Sequence, residues 1–255
     1  MGEFFKWEYV VSLFPKVLSA LPTTLLIVLF ATLIGAAVGL LIAYLRIERV
    51  PVLNQISIVY VSFVRGTPIL VQMFIVFYGL PSLLGSMGID LSQWDKIYFI
   101  YITYGLNTAA FFSEIFRSAI LNVPASQYEA AASIGLTKGQ TYRRVLIPQA
   151  SKIAMPSLGA SIINLLQDTS LAFSLGILDV MGKVQTLGAL YYRVMEGYFI
   201  AAVIFVILSI GLEQLFGVLE KKYRLPKRSK KSIRTPFLSN DKKQLLLANG
   251  KNKVN

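Results

Sequence analysis

Residues 17–45 carry no charged side chain, and most of them are apolar. About 20 apolar residues cross the hydrocarbon core of a bilayer, so this stretch is long enough to span one. It is too long for the apolar core of a signal peptide, and no small-residue cleavage site follows it. The expectation is a retained transmembrane helix. Composition agrees: of 255 residues, 55% are hydrophobic and 15% charged, against about 45–50% and about 25% in soluble domains.

The hydrophobic pattern predicts spans at about 17–45, 56–80, 97–120, 151–176 and 198–219. Arg46, Glu48 and Arg49 mark an aqueous edge, and Pro51 stops any helix continuing there. The second span is interrupted by Arg65-Gly66-Thr67-Pro68. It reads as one element kinked at that point, with Arg65 snorkelling to an interface. An interfacial helix followed by a short span is the other reading. The third span carries Glu114 and Arg117, three apart on one helical face, where they can pair. The fourth meets Gln167-Asp168-Thr169-Ser170 between two apolar runs. The connection holding Asp179, Lys183, Arg193 and Glu196 reads as soluble.

Five spans place the termini on opposite sides. Arg46, Arg49, Arg65, Arg117, Lys138, Arg143, Arg144 and Lys152 share one side with the basic run that starts at Lys221. Cytoplasmic loops carry the Lys/Arg excess, so the N-terminus is expected outside and the C-terminus inside. Residues 1–225 are the expected membrane domain, and 226–255 a basic, disordered tail. The net charge of +12 does not indicate nucleic acid, because the basic run abuts a helix end. It fits a juxtamembrane anchor meeting anionic lipid.

The chain has no cysteine and no histidine. Disulfides, Cys/His metal sites and His- or Cys-dependent triads are therefore excluded. No catalytic residue, metal ligand or bound cofactor is assigned, and the chain is not expected to be an enzyme. The loop 125–148 is rich in helix formers. Ser126 and Glu129 have capping-box spacing, as do Thr137 and Gln140. Gly135 between them permits a backbone reversal. A helix–turn–helix is expected.

That loop resembles a known motif. Glu129-Ala130-Ala131, three residues, Gly135, nine residues and Val145-Leu146-Ile147-Pro148 resemble the EAA loop of permease subunits in ATP-driven importers. The family pattern ends in I-x-L-P, so Val145 and Ile147 are conservative departures. Arg65-Gly66-Thr67-Pro68-Ile69-Leu70-Val71-Gln72 resembles the R-G-T-P-x-x-V-Q segment of polar amino-acid permeases. Leu165-Leu166-Gln167-Asp168-Thr169-Ser170-Leu171 resembles their L-L-K-D-T-S-L segment, with Gln167 where lysine is common. The matches run from about residue 17 to 224.

The resemblance is to the histidine/glutamine/arginine/cystine branch of the ATP-binding-cassette (ABC) importers. It implies an all-α polytopic membrane protein with the type I importer permease fold and cytoplasmic coupling helices. It implies that Glu129, Ala130, Ala131 and Gly135 meet a separate ATPase, with Pro148 setting how the fourth span leaves the loop. The chain has no G-x-x-x-x-G-K-[ST] phosphate loop, so ATP and magnesium belong on that ATPase. The other implied partners are a second permease subunit, identical or a close paralogue, and an extracytoplasmic amino-acid-binding protein. The implied location is the bacterial cytoplasmic (inner) membrane.

Asn164, Gln167 and Asp168 share one helix face. With Thr169 and Ser170 they are expected to line the substrate path, since an ionisable residue inside a span usually faces a cavity or pathway. Asp168 as the cap of a broken helix stays open beside this. Gln167 in place of lysine removes a cation, which makes L-cystine or another zwitterionic amino acid the candidate substrate. The rival is an ion-gradient-driven secondary transporter. It favours inverted repeats and broken helices in corresponding halves, and the sequence displays neither.

Overall fold

The computed structural model describes residues 5–223. The expected tail, 226–255, lies outside the described residues. Among them the chain is helical throughout, and its breaks fall where glycine, proline or a buried polar residue dictates. Helix α1 (Trp7–Leu18) was not foreseen; it precedes α2 (Leu21–Ile47). Pro22 sits in the first turn of α2, where its missing N–H costs nothing.

Helix α3 (Leu53–Gly66) is followed by α4 (Ile69–Phe74), a π-helical turn at Ile75–Gly79 and α5 (Leu80–Gly85). The chain turns by 115° between Leu53–Gly66 and Ile69–Gly85, a sharper change than a kinked single helix. Pro68 explains it, since it forces Thr67 into extended backbone (φ −120°, ψ 145°). Gln72 then secures the turn. Its amide donates to Val64 O at 2.7 Å, Thr67 O at 3.0 Å and Thr67 Oγ1 at 2.9 Å. A broken helix end buried without such partners would leave carbonyls unsatisfied.

Helix α6 (Lys96–Leu121) is central, packing on α2, α3 and α4. Small residues let α2 and α6 approach closely. A Cβ on Gly35 would lie 2.6 Å from Thr108 Cγ2, and one on Gly105 2.6 Å from Ile34 Cγ2. After α6 come α7 (Ala125–Ser133) and α8 (Lys138–Thr141). A π-helical turn at Tyr142–Leu146 leads into α9 (Ile147–Asp168). Pro148 lacks the N–H that would close the preceding turn, and Ile147 N instead donates back to Tyr142 O, the wider spacing of a π-turn.

A 3₁₀ segment, Thr169–Leu175, extends α9 without a break. Gly176 (φ +81°) ends it. Helices α10 (Val180–Tyr191) and α11 (Val194–Tyr223) follow. The connection expected to be soluble is instead folded into the bundle. Asp179 and Glu196 are buried. Asp179 caps α10 by accepting from Gly182 N at 2.8 Å, and Glu196 accepts from Lys6 N at 3.0 Å.

Among the described residues, Leu21–Ile47 and Val194–Lys221 are each long and apolar enough to cross a membrane. Two bent pairs also pass: Leu53–Gly66 with Ile69–Gly85, and Lys138–Leu175 with Val180–Tyr191, the latter bent by 50°. Helix α6 is long but diluted by Thr103, Asn107, Thr108, Ser113, Glu114 and Arg117, most of which turn inward. The architecture is all-α and multi-pass.

Candidate functional site

Two regions expected to carry function are far apart along α9. At its start lies the 125–148 loop, which folds as helix, reversal, helix. Ser126 does not cap α7: Pro124 holds the N-cap position and no side chain bonds there. Proline's fixed φ starts the helix two residues earlier than the Ser126 spacing suggests. At the other end Gly135 adopts φ +78°. Leu136 N donates to Ala131 O at 3.1 Å and Gly135 N to Ala132 O at 3.0 Å, the paired bonds of a Schellman ending. The expected capping box of α8 is present, with Thr137 N donating to Gln140 Oε1 at 3.0 Å and Gln140 N to Thr137 Oγ1 at 3.3 Å.

Glu129, Ala130, Gly135 and Pro148 are all exposed. Ala131 differs: it is buried against its own chain, because the Schellman ending turns that position inward. Of the two alanines only Ala130 is presented outward. Glu48, at the end of α2, ties the loop down. It pairs with Lys138 and accepts from Tyr142 Oη at 3.0 Å. Nothing in the sequence joined residues 48 and 138. Close to this end Glu114 bonds Arg117 at 3.0 Å, as its spacing suggested, and also Arg46 of α2.

The second region is a cavity of about 130 Å³ between α6 and α9, lined by Asn107, Thr108, Phe111, Ser161, Asn164, Leu165 and Asp168. Asn164 and Asp168 thus share it. Gln167 is exposed and Ser170 half-buried, and neither lines it. Thr169 is a correction to the expected path: it is fully buried and its hydroxyl donates to Leu166 O at 2.7 Å, because the helix turns that position into the core. The capping role open for Asp168 is also overturned, since its side chain makes no cap bond and the helix continues as 3₁₀. Tyr104 Oη donates to the Asp168 carbonyl at 2.6 Å, which fixes the backbone and leaves the carboxylate to the cavity. Among the described residues that carboxylate has no ion-pair partner.

Sequence reasoning missed Asn107, whose amide donates to Gln72 Oε1 at 3.0 Å. The cavity wall is thereby joined to the 115° turn. A polar residue in the middle of a long apolar helix was the available signal.

The family model for the binding-protein-dependent transport system inner membrane component matches residues 35–225. The chain belongs to this family. It is an ABC-importer permease subunit, which places it among transport subunits rather than enzymes. It is 41% identical over 224 residues to the L-cystine transport system permease protein TcyL of Bacillus subtilis (strain 168), covering 88% of this chain and 94% of that one. It is 39% identical over 225 residues to the probable amino-acid permease protein YxeN of the same organism, covering 88% and 98%. Its fold is similar to a crystal structure of an amino acid ABC transporter with histidines. The TM-score is 0.76 with 28% identity, over 86% of this chain and 99% of that one.

In this permease the Glu48 clamp has a pH signature. Hydrogen bonds from Lys138 and then Tyr142 hold the Glu48 carboxyl below the usual carboxylate range. A lowered carboxylate contributes stability that is complete above the unfolded value, about 4.3, and is lost as pH falls through the folded value. Glu48→Gln should flatten that acid limb in thermal melts of the purified permease. At neutral pH it should lower stability by the same amount that the wild type loses across that limb, a small one because Lys138 is exposed and its attraction screened. An unchanged acid limb in the variant would show that the clamp does not form.

Proposed function

We propose that this permease forms the membrane path of an ATP-driven importer for a polar amino acid, with L-cystine the first candidate. The observation that supports this is the cavity holding Asp168, Asn107 and Asn164, between the middle of α6 and the last turns of α9 in a permease fold. A carboxylate and amide groups are the chemistry that recognises an ammonium group. A cavity of about 130 Å³ takes one end of an amino acid, being smaller than the roughly 300 Å³ at which whole-ligand pockets begin. The rest of the enclosure comes from a second permease subunit, identical or a close paralogue. The TcyL relative supports L-cystine, and the absence of a cation at Gln167 is compatible with a zwitterion.

The proposed topology has five spans. They are α2, the bent pair Leu53–Gly66 with Ile69–Gly85, α6, α9 with its 3₁₀ extension, and α11. The N-terminus is outside and the C-terminus inside the bacterial inner membrane. Residues 1–225 are the membrane domain in this reading. Helices α7 and α8 are coupling helices that sit in clefts of two ATPase subunits, which hold ATP and magnesium. Glu129, Ala130 and Gly135 meet the ATPase. Pro148, by its π-turn, sets the angle at which α9 leaves. An extracytoplasmic binding protein delivers the amino acid. Because substrate and nucleotide favour different arrangements, closing the ATPases shifts the path from inward- to outward-facing. Glu48, joined to Lys138 of α8 and to Tyr142 of the π-turn that follows it, carries that displacement into α2.

The test is uptake of labelled L-cystine, L-arginine and L-glutamine by proteoliposomes containing the permease, its ATPase and its binding protein. Uptake of one of them that stops without ATP is the expected result. Uptake by the permease alone, driven by an ion gradient, would contradict the reading.

A further inference from the structure

Arg65 is exposed at the end of α3, and among the described residues no carboxylate lies within ion-pair distance of it. Its guanidinium rests over Phe111, 5.6 Å from the ring centroid. Beside it opens a second cavity of about 360 Å³, with Glu114, Arg117, Ser118 and Ser157 also in its wall. Glu114 is already engaged, one oxygen by Arg46 and the other by Arg117. Two guanidiniums therefore hold that carboxylate, and Arg65 with Arg117 against the one Glu114 leaves the cavity wall with an excess of positive charge.

The two cavities follow one another along the same pair of helices. Asn107, Thr108 and Phe111 on α6 face Ser161, Asn164 and Asp168 on α9 in the first. Glu114, Arg117 and Ser118 face Ser157 in the second. From Phe111 to Ser118 is about 10 Å along a helix. Phe111 is the junction, since it walls the first cavity and carries the Arg65 guanidinium that walls the second. The first offers an anion, the second cations.

We propose that the second cavity is a carboxylate-binding subsite for the transported amino acid, with Arg65 as the group that receives the carboxylate. This rests on the amino-acid reading above and extends it one step nearer the coupling loop. An exposed guanidinium is held weakly by an aromatic face. A carboxylate offers shorter, stronger, charge-assisted bonds in a fork that matches it. Arg65 thus leaves Phe111 when a carboxylate arrives, and the Ser118 and Ser157 hydroxyls supply further donors.

The test compares wild type, Arg65→Met and Arg65→Lys in the full complex with ATPase and binding protein, in proteoliposomes. Rates are normalised to co-purified ATPase. Methionine keeps the packing on Phe111 and removes the charge; lysine keeps the charge. Maximal uptake of the carried amino acid should fall about tenfold or more in Arg65→Met, the factor expected for one lost charge-assisted hydrogen bond. The half-saturating concentration of loaded binding protein should not move, and Arg65→Lys should retain most of the rate. Acetate on the ATPase side, against chloride at equal ionic strength, should slow the wild type and spare Arg65→Met. Wild-type rates in Arg65→Met, or equal acetate inhibition of both, would overturn the subsite while leaving the amino-acid reading intact. A wild-type complex that carries none of L-cystine, L-arginine or L-glutamine would contradict that reading and this subsite with it.

Discussion

Asp168→Asn should abolish measurable uptake while the permease still inserts and assembles. The substitution keeps shape and removes charge. The Asp168 carbonyl, to which Tyr104 Oη donates at 2.6 Å, is untouched, so the α9 backbone stays in place. What is lost is the anion in the cavity that also holds Asn107 and Asn164. Losing the carboxylate from a pair that bound substrate would desolvate costs about 2–5 kcal/mol, a fall of roughly 30-fold or more. Asp168→Ala should do the same and also open space. Initial uptake rates, measured beside the yield of co-purified ATPase, decide the matter. Normal uptake at normal affinity would remove Asp168 from the path.

Gly135→Pro should uncouple the permease from its ATPase or block their assembly. Gly135 holds φ +78°, and proline's ring fixes φ near −65°. Proline also lacks the N–H that Gly135 donates to Ala132 O at 3.0 Å. The Schellman ending of α7 fails on both counts, and with it the angle between α7 and α8. Gly135→Ala is the graded control. Space around the position is open, so the cost is only the left-handed backbone, about 1–2 kcal/mol. Alanine should therefore weaken coupling and proline destroy it. An ATPase that co-purifies with Gly135→Pro at unchanged yield, together with normal uptake, would refute the role of the reversal.

These two positions were legible in the sequence because each rests on local chemistry. Glycine between two helix-forming runs announces a reversal, and an aspartate between apolar runs announces a cavity or a cost. Thr137 and Gln140 announced their capping box for the same reason. What escaped was set by distant residues. Glu48 gains its meaning from Lys138 and Tyr142, some ninety positions on. Asp179 and Glu196 looked like loop residues because a carboxylate that caps a helix or accepts from a distant backbone N–H carries no mark of burial in one dimension. Thr169 sits beside Asp168 in the chain and points the other way, since one residue along a helix turns a side chain by about 100°. The 115° break at Pro68 was visible as a position but not as an angle, because the angle depends on Gln72 reaching back to Val64 and Thr67.

In the proposed function, exposed residues of α7 touch a separate ATPase inside the cell. The chain contains no cysteine, so Ala130→Cys provides a unique thiol on that surface. Crosslinking from it in living cells should capture the ATPase, with a yield that changes when nucleotide is trapped. A membrane-impermeant thiol reagent added outside should leave it unlabelled. A thiol that reacts from outside, or never captures the ATPase in cells that transport normally, would contradict the account.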